Sequence, residues 1–196
     1  GAGPPAGRDR RGRLVIPLLS QPFLFLRHGR TAANAANRIG GATDDPLDPT
    51  GLGQAEAAAR LLAGRPLAAI WHSPLARAAQ TAAAVARVTG APLVPLPGLA
   101  ERNWGAWEGQ DRAILIRDAT PPGGEGPQAF RARIRCALAG IVPPLPVLIV
   151  AHSGTAREIH AALTDAPFRR LGNAEAVEWR QDRDCRWICT KLSSAL

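Results

Sequence analysis

The sequence predicts an α/β fold: a three-layer sandwich with a mainly parallel central sheet flanked by helices, plus a C-terminal antiparallel strand pair. Three observations lead there. Short apolar runs, Phe23-Leu24-Phe25-Leu26 and PVLIVA (146–151), suit strands covered on both faces. Longer helix-patterned segments fall between the strand candidates, the alternation that builds parallel sheets. Near the C-terminus the alternation stops, and AEAVEWR (174–180) and CRWICTKL (185–192) flank the turn QDRD as a hairpin.

Residues 1–13, GAGPPAGRDRRGR, are Gly/Pro/Arg-rich and are expected to form a mobile basic tail; with the lead-in to residue 20 they precede one domain over 21–196. The first strand covers 22–26. Gly29 permits a sharp exit from it, and Thr31 is placed to cap a helical turn. Thr50 or Gly51 opens the helix GLGQAEAAARLLAG, stopped by Gly64. LAAIW (67–71) is the next strand. Ser73 as N-cap and Pro74 in the first turn then start a helix running through LARAAQTAAAVARV to Gly90. PLVPL (92–96) is a short strand. Beyond Glu101 the pattern predicts a helix over 110–118, a Pro/Gly-rich loop TPPGGEGP (120–127) and an Arg/Ala helix near 128–141. The strand at 146–151 leads into the helix SGTAREIHAAL (153–163).

At 196 residues, with 46% hydrophobic and 20% charged, the chain suits one globular domain rather than a disordered one. No segment is long enough to span a bilayer; the apolar stretch Leu14–Leu26 is broken by Pro17, Ser20, Gln21 and Pro22. With the arginines before it, that stretch imitates a signal peptide, yet it runs directly into the strand carrying His28, so a cytoplasmic location is expected. The net charge of +8 is carried by arginine, with Lys191 the single lysine, and +3 of it lies in residues 1–13. Such charge suits nucleic acid, but no nucleic-acid-binding motif accompanies it and the arginines are scattered. It suits small anionic substrates equally well. A small-molecule partner is therefore expected, with no nucleic acid and no membrane, while the chain reads equally as monomer or homodimer. Cys136, Cys185 and Cys189 form at most half a metal site and read as reduced thiols.

FLFLRHG and VLIVAHSG each take an apolar run to a histidine and then a glycine-containing turn. Taken alone, Arg27-His28-Gly29-Arg30 reads as a basic loop around a core histidine. Ligands of open α/β sheets, however, sit at the carboxyl ends of strands. His28 and His152, 124 positions apart, are thus placed to meet across one sheet edge.

From residue 22 to about 190 the sequence resembles the histidine phosphatase superfamily, the phosphoglycerate-mutase-like group. LRHGRTAAN (26–34) is similar to its nucleophile motif and DPLDPTGLGQA (45–55) to the helix lead-in that follows. SPLARAAQTA (73–82) is similar to the second-arginine motif, LAERNWGAWEG (99–109) to the acid motif, and VAHSG (150–154) to the second-histidine motif.

The resemblance implies a phosphatase in which His28 attacks phosphorus, Glu101 serves as general acid and base, and Arg27, Arg77 and His152 hold the phosphoryl oxygens. The chemistry fits: guanidinium forks match phosphate geometry, and a neutral imidazole nitrogen is nucleophilic. Glu108 is the rival acid, but the motif places the acid at Glu101. Thr31, Asn34, Gly40, Gly41, Ser153 and Gly154 match positions that touch phosphate or substrate in relatives. Two depart from the pattern: Gly40 replaces a more usual hydroxyl residue, and Ser153 a glycine. No metal and no cofactor is implied.

His72 and His160 read as packing residues, and Trp104 and Trp107 as core residues or pocket walls. GLGQAE lacks the third glycine of a dinucleotide site. A cofactor-dependent phosphoglycerate mutase is the alternative, but its long basic insertion between acid and second histidine does not fit within the 51 positions from Glu101 to His152. A non-catalytic phosphate- or nucleic-acid-binding module is disfavoured because Arg27, His28, Arg77, Glu101 and His152 are all present.

Overall fold

The computed structural model describes residues 16–193. Six strands form one sheet: β1 (Phe23–Arg27), β2 (Ala69–His72), β3 (Leu93–Pro95), β4 (Val147–Ala151), β5 (Ala176–Gln181) and β6 (Trp187–Lys191). Their spatial order is β3-β2-β4-β1-β5-β6. The first four run parallel, while β5 is antiparallel to both β1 and β6, so the C-terminal pair extends the sheet. The helices are α1 (Ala32–Ala35), α2 (Pro49–Leu62), α3 (Ala76–Thr89), α4 (Pro127–Ala139) and α5 (Ser153–Leu163).

Every residue of β1 and β4 is buried, and strand alternation divides their side chains between two cores. Phe23, Phe25, Val147, Ile149 and Ala151 face one layer, where Phe130, Ile134 and Leu138 of α4 and Ile159 of α5 cover them. Leu24, Leu26, Leu148 and Val150 face the other, covered by small residues of α2 and α3 such as Ala55, Ala59, Ala78 and Ala82. The alanines let these two helices lie close to the sheet. Each fully buried aliphatic side chain contributes about 1.5–3 kcal/mol, so the central strands are the most firmly fixed part of the fold.

The register positions the site. Arg27 pairs with Ala151 across β1 and β4, and the His28 N–H donates to the Ala151 carbonyl at 3.0 Å. His28 and His152 therefore leave the sheet side by side.

Several boundaries differ from expectation. The long helix α2 starts at Pro49 rather than at Thr50 or Gly51, because Asp48 is its cap and accepts the Gly51 N–H at 2.7 Å. Strand β2 begins at Ala69, two residues later than expected, and α4 ends at Ala139. Ser73 does not cap α3. That helix begins at Ala76, whose N–H donates to Asp44 Oδ1 from a distant loop at 2.6 Å.

No helix forms over 110–118; the region holds two short 3-10 turns, Gly105–Trp107 and Arg112–Ile114. Its backbone pairs with the loop at 37–39 instead: Ile39 N–H donates to Gln110 O, Gly109 N–H to Ile39 O and Arg112 N–H to Asn37 O. Tertiary pairing overrides local propensity here.

The basic tail expected at 1–13 lies outside the described residues. Of the lead-in, Pro17–Ser20 form a 3-10 turn that buries Leu18 against the first core. Among the described residues, no helix is long and apolar enough to cross a membrane.

Candidate active site

One cavity at the carboxyl ends of the parallel strands is lined by Arg27, His28, Thr31, Asn34, Gly40, Gly41, Arg77, Glu101 and Ser153. His152 is fully buried beside it, its ring centroid 5.1 Å from that of His28. Gly154 lines an adjoining cavity. The residues singled out in the sequence thus converge, although they come from segments far apart in the chain.

His28 is held in one tautomer. Its Nδ1 lies 2.7 Å from the Gly29 carbonyl, which only a protonated nitrogen can satisfy, so Nε2 carries the lone pair and makes no protein hydrogen bond. Burial, and then the Arg27 and Arg77 guanidiniums, hold its pKa well below the usual histidine range. Neutral pH therefore finds the ring uncharged. The Gly29 N–H donates to Thr81 Oγ1, and Asn173 Nδ2 donates to both the His28 and Gly29 carbonyls, so the nucleophile loop is tied down from two sides. Thr31 and Asn34 form a reciprocal capping box at the start of α1, and Asn173 also donates to Asn34 Oδ1 at 2.9 Å.

The two cationic forks are anchored by neutral acceptors. Arg27 Nη1 donates to the Leu171 carbonyl at 2.7 Å, and Arg77 donates to the Thr43 and Gly41 carbonyls, each at 2.7 Å. Carbonyls fix the planes of the guanidiniums without cancelling their charge. Burial, with the like charges of Arg170 and Arg112, pushes Arg27 down to about 9.

Two buried donors here have no acceptor. Arg27 Nε is one and His152 Nδ1 the other. His152 Nε2 lies 2.7 Å from Ser73 Oγ, and that oxygen already accepts the Leu75 N–H, so its hydroxyl proton points to His152 and leaves the ring proton on Nδ1. Orphaned buried donors are rare and demand an explanation. An incoming anion supplies one.

Glu101 is oriented by two backbone donors, Arg102 N–H to Oε1 at 2.8 Å and Gly154 N–H to Oε2 at 2.9 Å. The amide of Gly154 is thereby committed to Glu101 rather than to a phosphate. A Cβ at position 154 would sit 2.1 Å from Glu101 Oε1 and 3.1 Å from Phe130 Cζ, so this glycine is required by close approach. Gly154→Ala is expected to leave the fold intact and to lower kcat on alkyl phosphates about 10²-fold by displacing the carboxyl group. Circular dichroism and initial rates together check this; an unchanged kcat would show that Glu101 tolerates displacement.

Glu108, the rival acid, has a different task. It accepts from the N–H groups of Ala42, Thr43 and Trp104, each at 2.8 Å, and so fastens the loop whose carbonyls hold Arg77. Gly41 in that loop has φ +57°, and a Cβ there would meet Glu108 Oε1 at 2.1 Å. A Cβ at position 40 would meet no heavy atom within 4 Å, so the glycine there leaves open room in the cavity. Trp104 lines the cavity and stacks on Trp107, which does not line it. His72 bonds the Ser73 carbonyl, and His160 packs edge-on against Phe168 and Trp179. The three cysteines are free and exposed. No group of three or more His, Cys, Asp or Glu side chains is arranged to hold a metal ion among the described residues.

Sequence reasoning missed Ser73 as the partner of His152, Asn173, Thr81, and the arginines Arg112 and Arg170, which also line the cavity. Asn173 and the two arginines lie in irregular segments with no local pattern to mark them.

Sheet and site together define an α/β protein with a histidine-centred, anion-receiving cleft at the ends of parallel strands. The chain belongs to the histidine phosphatase superfamily (branch 1), whose family model matches residues 23–179. It is 32% identical over 186 residues to the glucosyl-3-phosphoglycerate phosphatase of Mycobacterium tuberculosis, covering 81% of this chain and 83% of that protein. It is also 32% identical over 164 residues to the adenosylcobalamin/alpha-ribazole phosphatase of Salmonella typhimurium, covering 75% and 81%. The structure of mycobacterial glucosyl-3-phosphoglycerate phosphatase complexed with VO3 superposes with a TM-score of 0.75 at 29% identity, covering 86% of this chain and 97% of that one.

Proposed function

We propose that the protein is a phosphomonoesterase that hydrolyses a small phosphorylated metabolite through a phosphohistidine on His28, with Glu101 as general acid and base and without a cofactor. The observation that carries this reading is the pairing of a neutral His28, its Nε2 free, with two orphaned buried donors, Arg27 Nε and His152 Nδ1. In the first step the Nε2 lone pair forms a P–N bond while the ester P–O bond breaks, and the Glu101 carboxyl gives its proton to the departing oxygen. Arg27, Arg77 and His152 take the charge on the three nonbridging oxygens. In the second step water attacks phosphorus, Glu101 recovers a proton from it, and the P–N bond breaks to regenerate His28 and release phosphate.

The relatives' names support the reaction class and differ in substrate, so membership alone does not choose the ester. The three free, exposed cysteines are in keeping with a reducing compartment, and we place the enzyme in the cytoplasm.

Hydrolysis is favoured over mutase chemistry because a mutase must shield its phosphoenzyme from water. Of the arginines between the acid and the second histidine, Arg131 pairs with Glu158 and Arg133 with Glu125, so neither is spare to close the site. Incubation with 3-phosphoglycerate and a catalytic amount of its bisphosphorylated cofactor should release free phosphate well ahead of 2-phosphoglycerate. Efficient isomerisation with little phosphate would make the protein a mutase.

A further inference from the structure

The arginines at 30, 65, 87, 131, 133 and 169 each have a carboxylate partner. At the mouth of the cleft the pattern breaks. Arg112, Arg117 and Arg170 make no side-chain hydrogen bond and no ion pair among the described residues. Yet Arg112 lines the His28 cavity and both of its neighbours, Arg170 lines two of the three, and Arg117 lines the cavity beyond Glu101.

They are also close enough to repel one another. Burial first, and then each other's charge, lowers the pKa of Arg112 and Arg170, with Glu101 the single carboxylate acting against this. A solvated arginine has no reason to crowd two others. Nor is the Arg117 loop free to move away, since buried Arg102 donates to the carbonyls of Arg117 and Ala119, each at 2.6 Å, and lies 4.1 Å over the Trp104 ring.

The phosphoryl group does not use these charges, because Arg27, Arg77 and His152 already surround its place. The three arginines lie instead on the side of Glu101 and Trp104, where the leaving group must project.

Resting on the phosphatase reading above, we propose that Arg112, Arg117 and Arg170 form a second-anion subsite, so that the alcohol portion of the substrate carries its own carboxylate or phosphate. The anion would take charge-assisted hydrogen bonds from these guanidiniums, and it would relieve their mutual repulsion. Trp104, Leu115 and Phe130 supply the apolar wall for the carbon skeleton between the two charges.

The test compares three esters of similar size: glycerol 3-phosphate, 3-phosphoglycerate and propane-1,3-diol bisphosphate. The intact enzyme should favour one or both of the doubly anionic esters by about tenfold or more in kcat/KM, as charge-assisted contacts of this kind provide. The member preferred identifies the carboxylate or the phosphate. Arg112→Gln and Arg170→Gln should each reduce that preference about tenfold, mainly through KM, with partial recovery in the lysine variants. Arg183→Gln, in the exposed β5–β6 turn, controls for overall charge and should leave the preference unchanged.

Hydrolysis of 4-nitrophenyl phosphate with no preference among the three esters would overturn the subsite and spare the phosphatase. A preference that falls equally with Arg183→Gln would also overturn it, as long-range steering. If the enzyme hydrolyses no ester at all, the phosphatase reading fails and the subsite falls with it.

Discussion

His28→Ala should lose turnover by about 10⁴-fold or more and should no longer acquire an acid-labile label from a phosphate ester. No second side chain is placed to accept the phosphoryl group: His152 lies 5.1 Å away between ring centroids, but its Nε2 faces Ser73 and its Nδ1 bears the proton. Arg27 and Arg77 remain as an anion cradle, so the variant should still bind phosphate or vanadate, which separates loss of chemistry from loss of the site. Quench-flow labelling with radioactive ester, followed by acid treatment of the trapped protein, reads the phosphoramidate directly. A label that persists in the variant would place the nucleophile elsewhere.

Glu101→Gln carries the second large effect, and its size should depend on the leaving group. An alkyl alkoxide cannot depart without a proton, so kcat/KM on glycerol 3-phosphate should fall about 10²–10⁴-fold. Nitrophenolate departs unaided, and 4-nitrophenyl phosphate should lose far less. The comparison must use kcat/KM, which reports events up to transfer onto His28 and excludes the later role of Glu101 with water. Both carboxylate oxygens accept backbone N–H groups, so the glutamine amide must also set an NH₂ against a donor. That distortion costs both substrates alike and cannot produce a leaving-group dependence. Equal losses on the two esters would show that Glu101 acts by holding structure alone.

The sequence made some of this arrangement readable and hid the rest for identifiable reasons. Strands β1 and β4 announce themselves because burial on both faces leaves uninterrupted apolar runs, and each ends on the histidine that matters. Helices α2, α3 and α5 follow from periodicity, and Gly90 closes α3 as expected. What failed was local inference where a distant partner decides. Ser73 looks like a cap, but its hydroxyl serves His152, 79 positions away, while Asp44 satisfies the helix end instead. The 110–118 segment has helical composition, yet its backbone is taken up by the loop at 37–39. Glu108 sits in the acid motif and proves to hold the Arg77 loop, a contact with no signature in spacing. Arg112 and Arg170 are two among many scattered arginines; only the missing carboxylates around them set them apart.

The carbonyl anchoring of Arg27 and Arg77 has an evolutionary side. Gly41, Thr43 and Leu171 hold the two guanidiniums in place while leaving their charge whole, so the empty protein keeps like charges together in a partly dehydrated cleft. Selection for thermal robustness alone would therefore erode this cleft, replacing Arg27 with an apolar side chain before touching either core. Inorganic phosphate, the product, offsets the repulsion and so acts as a chaperone for the fold that releases it. Activity and robustness pull in opposite directions at these positions, and a library sorted for stability should shed function there first.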